Sequence, residues 1–217
     1  MEPLFITFEG LDGSGKSTHL QAAAGWLEEA GVLHRVTHEP GGTVLGEGIR
    51  KLFLHSAASE LDGTVEMLLV FASRRQHLSE VIEPALESGY TVLCDRFTDS
   101  THAYQGHGRG ISSELIDEID ALATGSRSPD ATLLFDLPAD DARRRGQSGE
   151  RTVDRLDRES VDFYERVRQG FLERVRSDAE RFRLINSGGS VEETRLQVHE
   201  ALQNLLALPR LESRDGA

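Results

Sequence analysis

The sequence predicts an α/β fold: a three-layer sandwich in which a five-stranded parallel sheet carries helices on both faces, with a small arginine-rich lid. Three observations predict it. Strand-like and helix-like segments alternate along 217 residues, the pattern of a parallel sheet covered by helices. Thr91–Asp95 and Thr132–Asp136 are nearly continuous apolar runs, as expected of strands buried on both faces. Residues 10 to 17, Gly-Leu-Asp-Gly-Ser-Gly-Lys-Ser, form a complete G-x-x-x-x-G-K-[ST] phosphate-binding loop between a strand and a helix.

Five strands are placed at Leu4–Glu9, Leu33–Thr37, Thr91–Asp95, Thr132–Asp136 and Arg183–Ile185. A helix follows the phosphate loop from Thr18 to about Ala30. Thr43 can cap the next one, which carries Arg50 inside it. A long helix should run from about Thr64 to Ser88, with Pro84 disturbing its last turn. Ser112 can cap a helix with Leu115, Ile116, Ile119, Leu122 and Ala123 on one face, ended by Gly125. Another helix should run from about Asp157 to Ala179. Ser190 and Glu193 form a capping box for the last helix, with Val191, Val198, Leu202 and Leu205 inward. Between Arg143 and Arg151 the chain is polar, basic and glycine-containing, and reads as a mobile excursion. Residues 1–208 read as one domain with a lid at about 143–155, and 209–217 as a disordered tail.

Composition narrows the function classes. Hydrophobic and charged contents of 38% and 28% fit a globular domain, and no apolar run approaches a membrane span. The first nine residues lack the features of a secretory signal, and Cys94 is the single cysteine, so a reducing, cytoplasmic location is expected. Cys94 itself reads as a small core residue. The net charge of −13 argues against broad nucleic-acid binding. Lys16 and Lys51 are the only lysines. The remaining basic residues are arginines, whose planar guanidinium suits phosphate.

The phosphate loop carries the strongest chemical signal. Its glycines let successive backbone N–H groups converge on phosphate oxygens, and the following helix N-terminus adds partial positive charge. Lys16 can reach the β- and γ-phosphates, and the Ser17 hydroxyl can hold Mg²⁺. Three further stretches stand out. Glu39-Pro40-Gly41-Gly42-Thr43 makes a tight turn after the second strand. Phe71 and Arg74 share a helix face, where they can stack a base and bond its edge; as an isolated pair they read as a core ring and a solvated arginine. Asp95-Arg96 ends the third strand, where open α/β sheets bind ligands, which places Asp95 near Mg²⁺ and Arg96 near phosphate.

Taken together, Phe8 to Thr18, Glu39 to Thr43, Phe71 to His77, Asp95 to Gly106 and Asp154 to Ser160 resemble the thymidylate kinase family, of the bacterial type with a basic lid. The resemblance covers most of the chain. It implies a P-loop nucleoside monophosphate kinase-like fold that phosphorylates dTMP to dTDP with Mg-ATP, in dTTP biosynthesis, and a homodimer. It implies donor contacts from Gly10, Leu11, Asp12, Gly13, Ser14, Gly15, Lys16, Ser17 and Thr18. Asp12 matches a contact to the sugar 3′-hydroxyl. Arg50 and Arg96 match the holders of the dTMP phosphate. Phe71 matches the ring stacked on thymine, and Arg74 the arginine on its edge. Ser100 and Gln105 match polar base or phosphate contacts and Tyr104 the ring under the deoxyribose, and Glu39 and Pro40 are expected among the substrate-binding residues. Ser17 and Asp95 are the expected metal holders. Lys16, Arg96, Arg145 and Arg151 are the expected catalytic cations, with the choice among Arg143, Arg144, Arg145, Arg151 and Arg155 left open. His38 stands where many relatives carry arginine, and Gly146 to Glu150 are extra residues in the lid.

The chemistry fits this set. A phosphate monoester has a second pKa of about 6, so the acceptor is mostly a dianion without any protein base. The task is then to neutralise two anionic substrates, which positioned cations do. A deoxynucleoside kinase would favour a carboxylate base near an acceptor hydroxyl. A P-loop switch of the GTPase kind would carry an Asn-Lys-x-Asp motif, and the sequence has none.

Overall fold

The computed structural model describes residues 2–55, 61–147 and 155–206. Its five strands are β1 (Phe5–Gly10), β2 (His34–His38), β3 (Thr91–Asp95), β4 (Ala131–Asp136) and β5 (Phe182–Asn186). All pair in parallel, in the order β2-β3-β1-β4-β5. All five expected strands are present with ends shifted by one residue or less. The register puts Asp95 beside both Phe8 and His38, so the phosphate loop and the ends of β2 and β3 share one edge.

The apolar runs are continuous because both faces are covered. Ile6 and Phe8 of β1 and Leu133 and Phe135 of β4 pack with α1 (Lys16–Glu29) and α9 (Val191–Leu206) through Leu20, Leu27, Val198 and Leu202. The alternate residue Phe5 faces Leu78, Ile82 and Phe97, and Leu134 faces Phe163, Val167 and Phe171 of α8 (Val161–Ser177). Cys94 is fully buried among these residues.

The long helix expected from Thr64 to Ser88 is a composite. α3 (Gly63–His77), capped by Asp62, passes into a π turn at Leu78–Ile82 and then α4 (Glu83–Glu87). The wider π turn precedes Pro84 and lets the chain continue past a residue without an N–H. Thr43 caps α2 (Val44–His55) through Gly46 N–H at 2.9 Å. Thr98–Thr101 is a short α5, continued by a π-helical stretch at His102–Gly108. That stretch lies so close to α8 that a Cβ on Gly170 would sit 2.8 Å from the His107 ring. Ser112 and Gly125 bound α6 (Ser113–Thr124), and Ser190 and Glu193 cap α9 reciprocally.

Several expectations are corrected. Leu115, Leu122 and Val191 are exposed, because the buried stripes of their helices run through Ile116 and through Val198 and Leu202. Arg143 to Gln147 are not an excursion but the second half of α7 (Ala139–Gln147), whose Ala139 and Ala142 are buried. The expected Asp157–Ala179 helix is a 3₁₀ turn at Leu156–Arg158 followed by α8, which starts at a Ser160 cap. The rest of the lid, 148–154, and the tail from 207 lie outside the described residues.

Candidate functional site

Two cavities open at the carboxyl edge of the sheet. The first is a cleft along the phosphate loop, lined by Asp12, Gly13, Gly15, Lys16, Ser17 and Thr18. Across it stand Thr37, His38, Asp95, Arg96, Arg145 and Gly146. Gly15 takes a left-handed conformation (φ 89°) immediately before α1, which opens at Lys16. Lys16 is buried and donates from Nζ to Leu11 O at 2.9 Å; burial lowers its pKa to about 8. Gly13 (φ 83°) has no room for a side chain, because a Cβ there would lie 2.1 Å from Ala142 O in α7. Ser14 is buried beneath the loop, while Gly10 and Leu11 build its backbone without lining the cleft.

Ser17 and Asp95 are brought together, with Ser17 Oγ donating to Asp95 Oδ2 at 2.9 Å. Among the described residues, Asp95 Oδ1 is buried with no hydrogen-bond partner. An unmet carboxylate oxygen beside a hydroxyl fits a hard cation with mostly oxygen and phosphate ligands. No group of three or more His, Cys, Asp or Glu that could hold a metal occurs among the described residues, so protein side chains alone do not form a complete cage.

The second cavity is lined by nine of the ten expected substrate residues: Asp12, Glu39, Pro40, Arg50, Arg74, Arg96, Ser100, Tyr104 and Gln105. Asp12, Glu39, Arg50 and Arg96 line both cavities, which therefore share a wall. Arg96 is the centre of that wall. Its backbone is left-handed (φ 71°), unusual for a side chain of this size. Its guanidinium donates to Asp12 Oδ1, Gly10 O, Ser100 Oγ and Tyr104 Oη. Burial opposes its charge, but the surrounding carboxyl groups of Asp12, Asp95 and Glu9 outweigh burial and hold its pKa above the usual arginine range. Burial also raises the Tyr104 phenol, so that hydroxyl stays neutral. Arg50 donates to Pro40 O, across a cis Glu39–Pro40 peptide.

Phe71 is the exception. It does not line the cavity; it packs with Met67 and Ile116, and its ring lies 4.9 Å from the Arg74 guanidinium carbon. Phe97 stands at the same distance, so Arg74 is held between two rings. Val70, one residue earlier and four before Arg74, takes the cavity wall instead, together with Phe53 and Leu54 of α2 and Leu156. The i, i+4 spacing to Arg74 was the available signal. Glu39 has a supporting role: it accepts from Arg74 Nε at 2.7 Å and bonds His77 Nδ1 at 2.9 Å, while His77 Nε2 meets Thr37.

Two buried supports were not singled out by sequence. Glu9 accepts from Phe97 N–H, Ser100 N–H and Ser100 Oγ, holding the turn after Arg96. Glu66 accepts from Gln105, Arg109 and Arg155. Arg155 is thereby turned away from the phosphate cleft. Arg144 is exposed and pairs with Asp141. Arg145 lines the cleft and donates to Ser187 O at 2.8 Å. Arg151 lies outside the described residues. His38 lines the cleft and bonds Glu47 at 2.8 Å.

The family model described as thymidylate kinase matches residues 8–198. A thymidylate kinase of Pseudomonas syringae pv. tomato is 44% identical over 210 residues, 97% of this chain and all of the relative. One from Nitrosomonas eutropha is 46% identical over 200 residues, 92% of each chain. The crystal structure of thymidylate kinase from Ehrlichia chaffeensis superposes with a TM-score of 0.75 at 35% identity, covering 94% of this chain and 100% of that one.

Proposed function

The chain belongs to the thymidylate kinase family and phosphorylates dTMP with ATP as donor; we propose that transfer is direct and in-line, across the wall that Asp12 and Arg96 share between the two cavities. The shared wall is the observation that supports this reading. It lets one arginine face the donor's terminal phosphate and the acceptor's phosphate together.

On the donor side, the phosphate loop takes the triphosphate, and Lys16 leaves Leu11 O for the phosphate oxygens. Bound anions favour the charged form of Lys16. Ser17 and Asp95 are the residues that hold Mg²⁺, which when bound supplies charge neutralisation on the phosphates. On the acceptor side, Arg50 and Arg96 hold the dTMP phosphate and Arg74 and Gln105 bond the base. Tyr104 lies under the deoxyribose, where its ring leaves little room for a 2′-hydroxyl. The acceptor needs no protein base, since it arrives largely as a dianion. Of the lid arginines, Arg145 is the one the cleft supports as the cation on the transferred phosphoryl, because its side chain already lines it.

Lys16→Ala is expected to abolish turnover while the protein stays folded, and Arg145→Ala to lower kcat by about 10³ or more. Arg144→Ala serves as the neutral control. A coupled ADP-release assay across nucleoside monophosphates tests acceptor choice. Equal rates on dTMP, UMP and AMP would refute the assigned base and sugar contacts.

The partner and location readings rest on physical arguments of the same kind. Leu45 and Leu52 of α2, Val65 and Leu68 of α3, and Leu115 and Leu122 of α6 are exposed on three helices that lie side by side. A second copy of the chain covering this face as a homodimer accounts for them. Light scattering of the wild type and of Leu68→Glu checks it. No helix among the described residues is long and apolar enough to cross a membrane. With one buried cysteine, the protein is assigned to the cytoplasm.

A further inference from the structure

Glu66 is fully buried on α3 and meets three donor side chains in the wall behind the acceptor cavity. Its Oε1 accepts from Arg155 Nη1 at 2.5 Å and faces Arg109 Nη2 at 3.1 Å. Its Oε2 accepts from Gln105 Nε2 at 3.1 Å and Arg109 Nε at 3.3 Å. Gln105 is also buried and lines the cavity.

An ionised carboxylate can only accept hydrogen bonds. The two guanidiniums facing Glu66 donate to both of its oxygens, so both oxygens act as acceptors. The Gln105 amide, which could otherwise sit either way round, must therefore turn its NH₂ toward Glu66. The atom left for the cavity is the carbonyl Oε1, and among the described residues no donor reaches it. Arg74, with Nε on Glu39 and Nη1 on Thr101, lines the same cavity as a pure donor.

We infer that Glu66 is a positioning residue for base selection: by fixing the Gln105 amide it makes the cavity present one acceptor beside one donor. That pair matches an imide edge, a ring N–H next to a carbonyl, as in thymine and uracil. It mismatches cytosine twice, since cytosine offers an amino donor and a bare ring nitrogen at those places. The inference rests on the dTMP activity above and deepens it. Replacement of Glu66 by glutamine reverses the logic. Arg155 Nη1 and Arg109 Nη2 on the Oε1 side keep the new carbonyl, so the new NH₂ takes the Oε2 side, where it faces Gln105 and displaces Arg109 Nε. Gln105 then flips and offers its own NH₂ to the cavity.

The test is the ratio of kcat/KM for dTMP to that for dCMP in wild type, Glu66→Gln and Glu66→Asp. Glu66→Gln is expected to reduce the ratio about 10–100-fold, the discrimination carried by one base-edge contact pattern. Glu66→Asp, still an acceptor only, is expected to keep the ratio while KM rises. An unchanged ratio in Glu66→Gln, or equal loss of both activities, overturns the inference. Should Glu66→Gln not fold, a neutron structure of the deuterated wild type decides. Two deuterons on the Gln105 atom facing Glu66 support it, and deuterons on the cavity side overturn it. Absent dTMP turnover by the wild type would fault the activity itself, and a failed ratio shift with normal wild-type turnover would fault Glu66 alone.

Discussion

Arg96 Nη2 donates to Asp12 Oδ1 at 2.7 Å, joining positions 84 apart in sequence where the phosphate cleft meets the acceptor cavity. The pair is partly open to solvent, with the two side chains 16% and 29% exposed, so substrate can reach both partners. Asp12 sits in the phosphate loop, and through it that loop fixes the direction of the Arg96 guanidinium.

Asp12→Ala removes a hydrogen bond to a charged group, of the kind that contributes about 1.5–3 kcal/mol. A loss of about 10–100-fold in kcat/KM for dTMP is expected, with a smaller change in KM for ATP, measured by steady-state kinetics. The backbone of Arg96 permits a companion measurement. Arg96→Gly and Arg96→Ala both lose the guanidinium, but only glycine is unstrained at φ 71°. Denaturant unfolding should show the glycine variant more stable than the alanine variant by about 1 kcal/mol. Equal stability of the two would mean that the left-handed backbone is not strained.

Gly13→Ala should damage stability and donor binding together. Its Cβ would lie 2.1 Å from Ala142 O and 2.8 Å from Gly146 N, both backbone atoms of α7. Overpacking of this kind typically costs about 1–3 kcal/mol. A variant with wild-type melting temperature and ATP affinity would show that α7 does not pack on the loop.

Phe71 and Phe53 should separate in their effects. Phe71 packs away from the cavity, so Phe71→Leu is expected to lower the melting temperature while leaving KM for dTMP nearly unchanged. Phe53 lines the cavity. Phe53→Leu is expected to raise KM for dTMP, because apolar wall area against the substrate is lost. Thermal melts and steady-state kinetics on the two variants check this, and the reverse pattern would restore Phe71 to the substrate site.

Glu9 predicts a pH dependence of stability. Burial raises its carboxyl to about 7 from an ordinary 4.5. Between those values the folded protein keeps a proton that the unfolded chain has released. The stability contributed by that proton is therefore present below pH 4.5 and is lost as pH rises through about 7. Glu9→Gln should flatten this part of the stability curve. Denaturant melts at several pH values across the window check it, and parallel curves for both proteins would place the titration elsewhere.

The fold and much of the site were legible in the sequence for a shared reason. Strand runs, the Ser112 and Ser190 caps, and the strand–loop–helix setting of Lys16 and Ser17 are all carried by neighbouring residues. Ser17 reaching Asp95 follows from where strands end in a parallel sheet. The misses are equally specific. Phe71 and Val70 are adjacent and both apolar, so a helical pattern cannot say which one faces a cavity. The polar stretch from Arg143 does not look like core, yet α7 buries Ala139 and Ala142 and sets Arg145 on the cleft.

The sequence by itself determined the sheet and the phosphate loop, because those depend on local periodicity and motif spacing, while the candidate substrate residues came from the resemblance of its motifs to a family. Only the tertiary structure decided which partners these residues hold. Asp12 with Arg96, Glu66 with Gln105 and Glu39 with Arg74 are joined by packing between elements 35 to 84 positions apart. In a buried site the direction of a guanidinium or an amide is set by the acceptors around it, and those acceptors come from elsewhere in the chain.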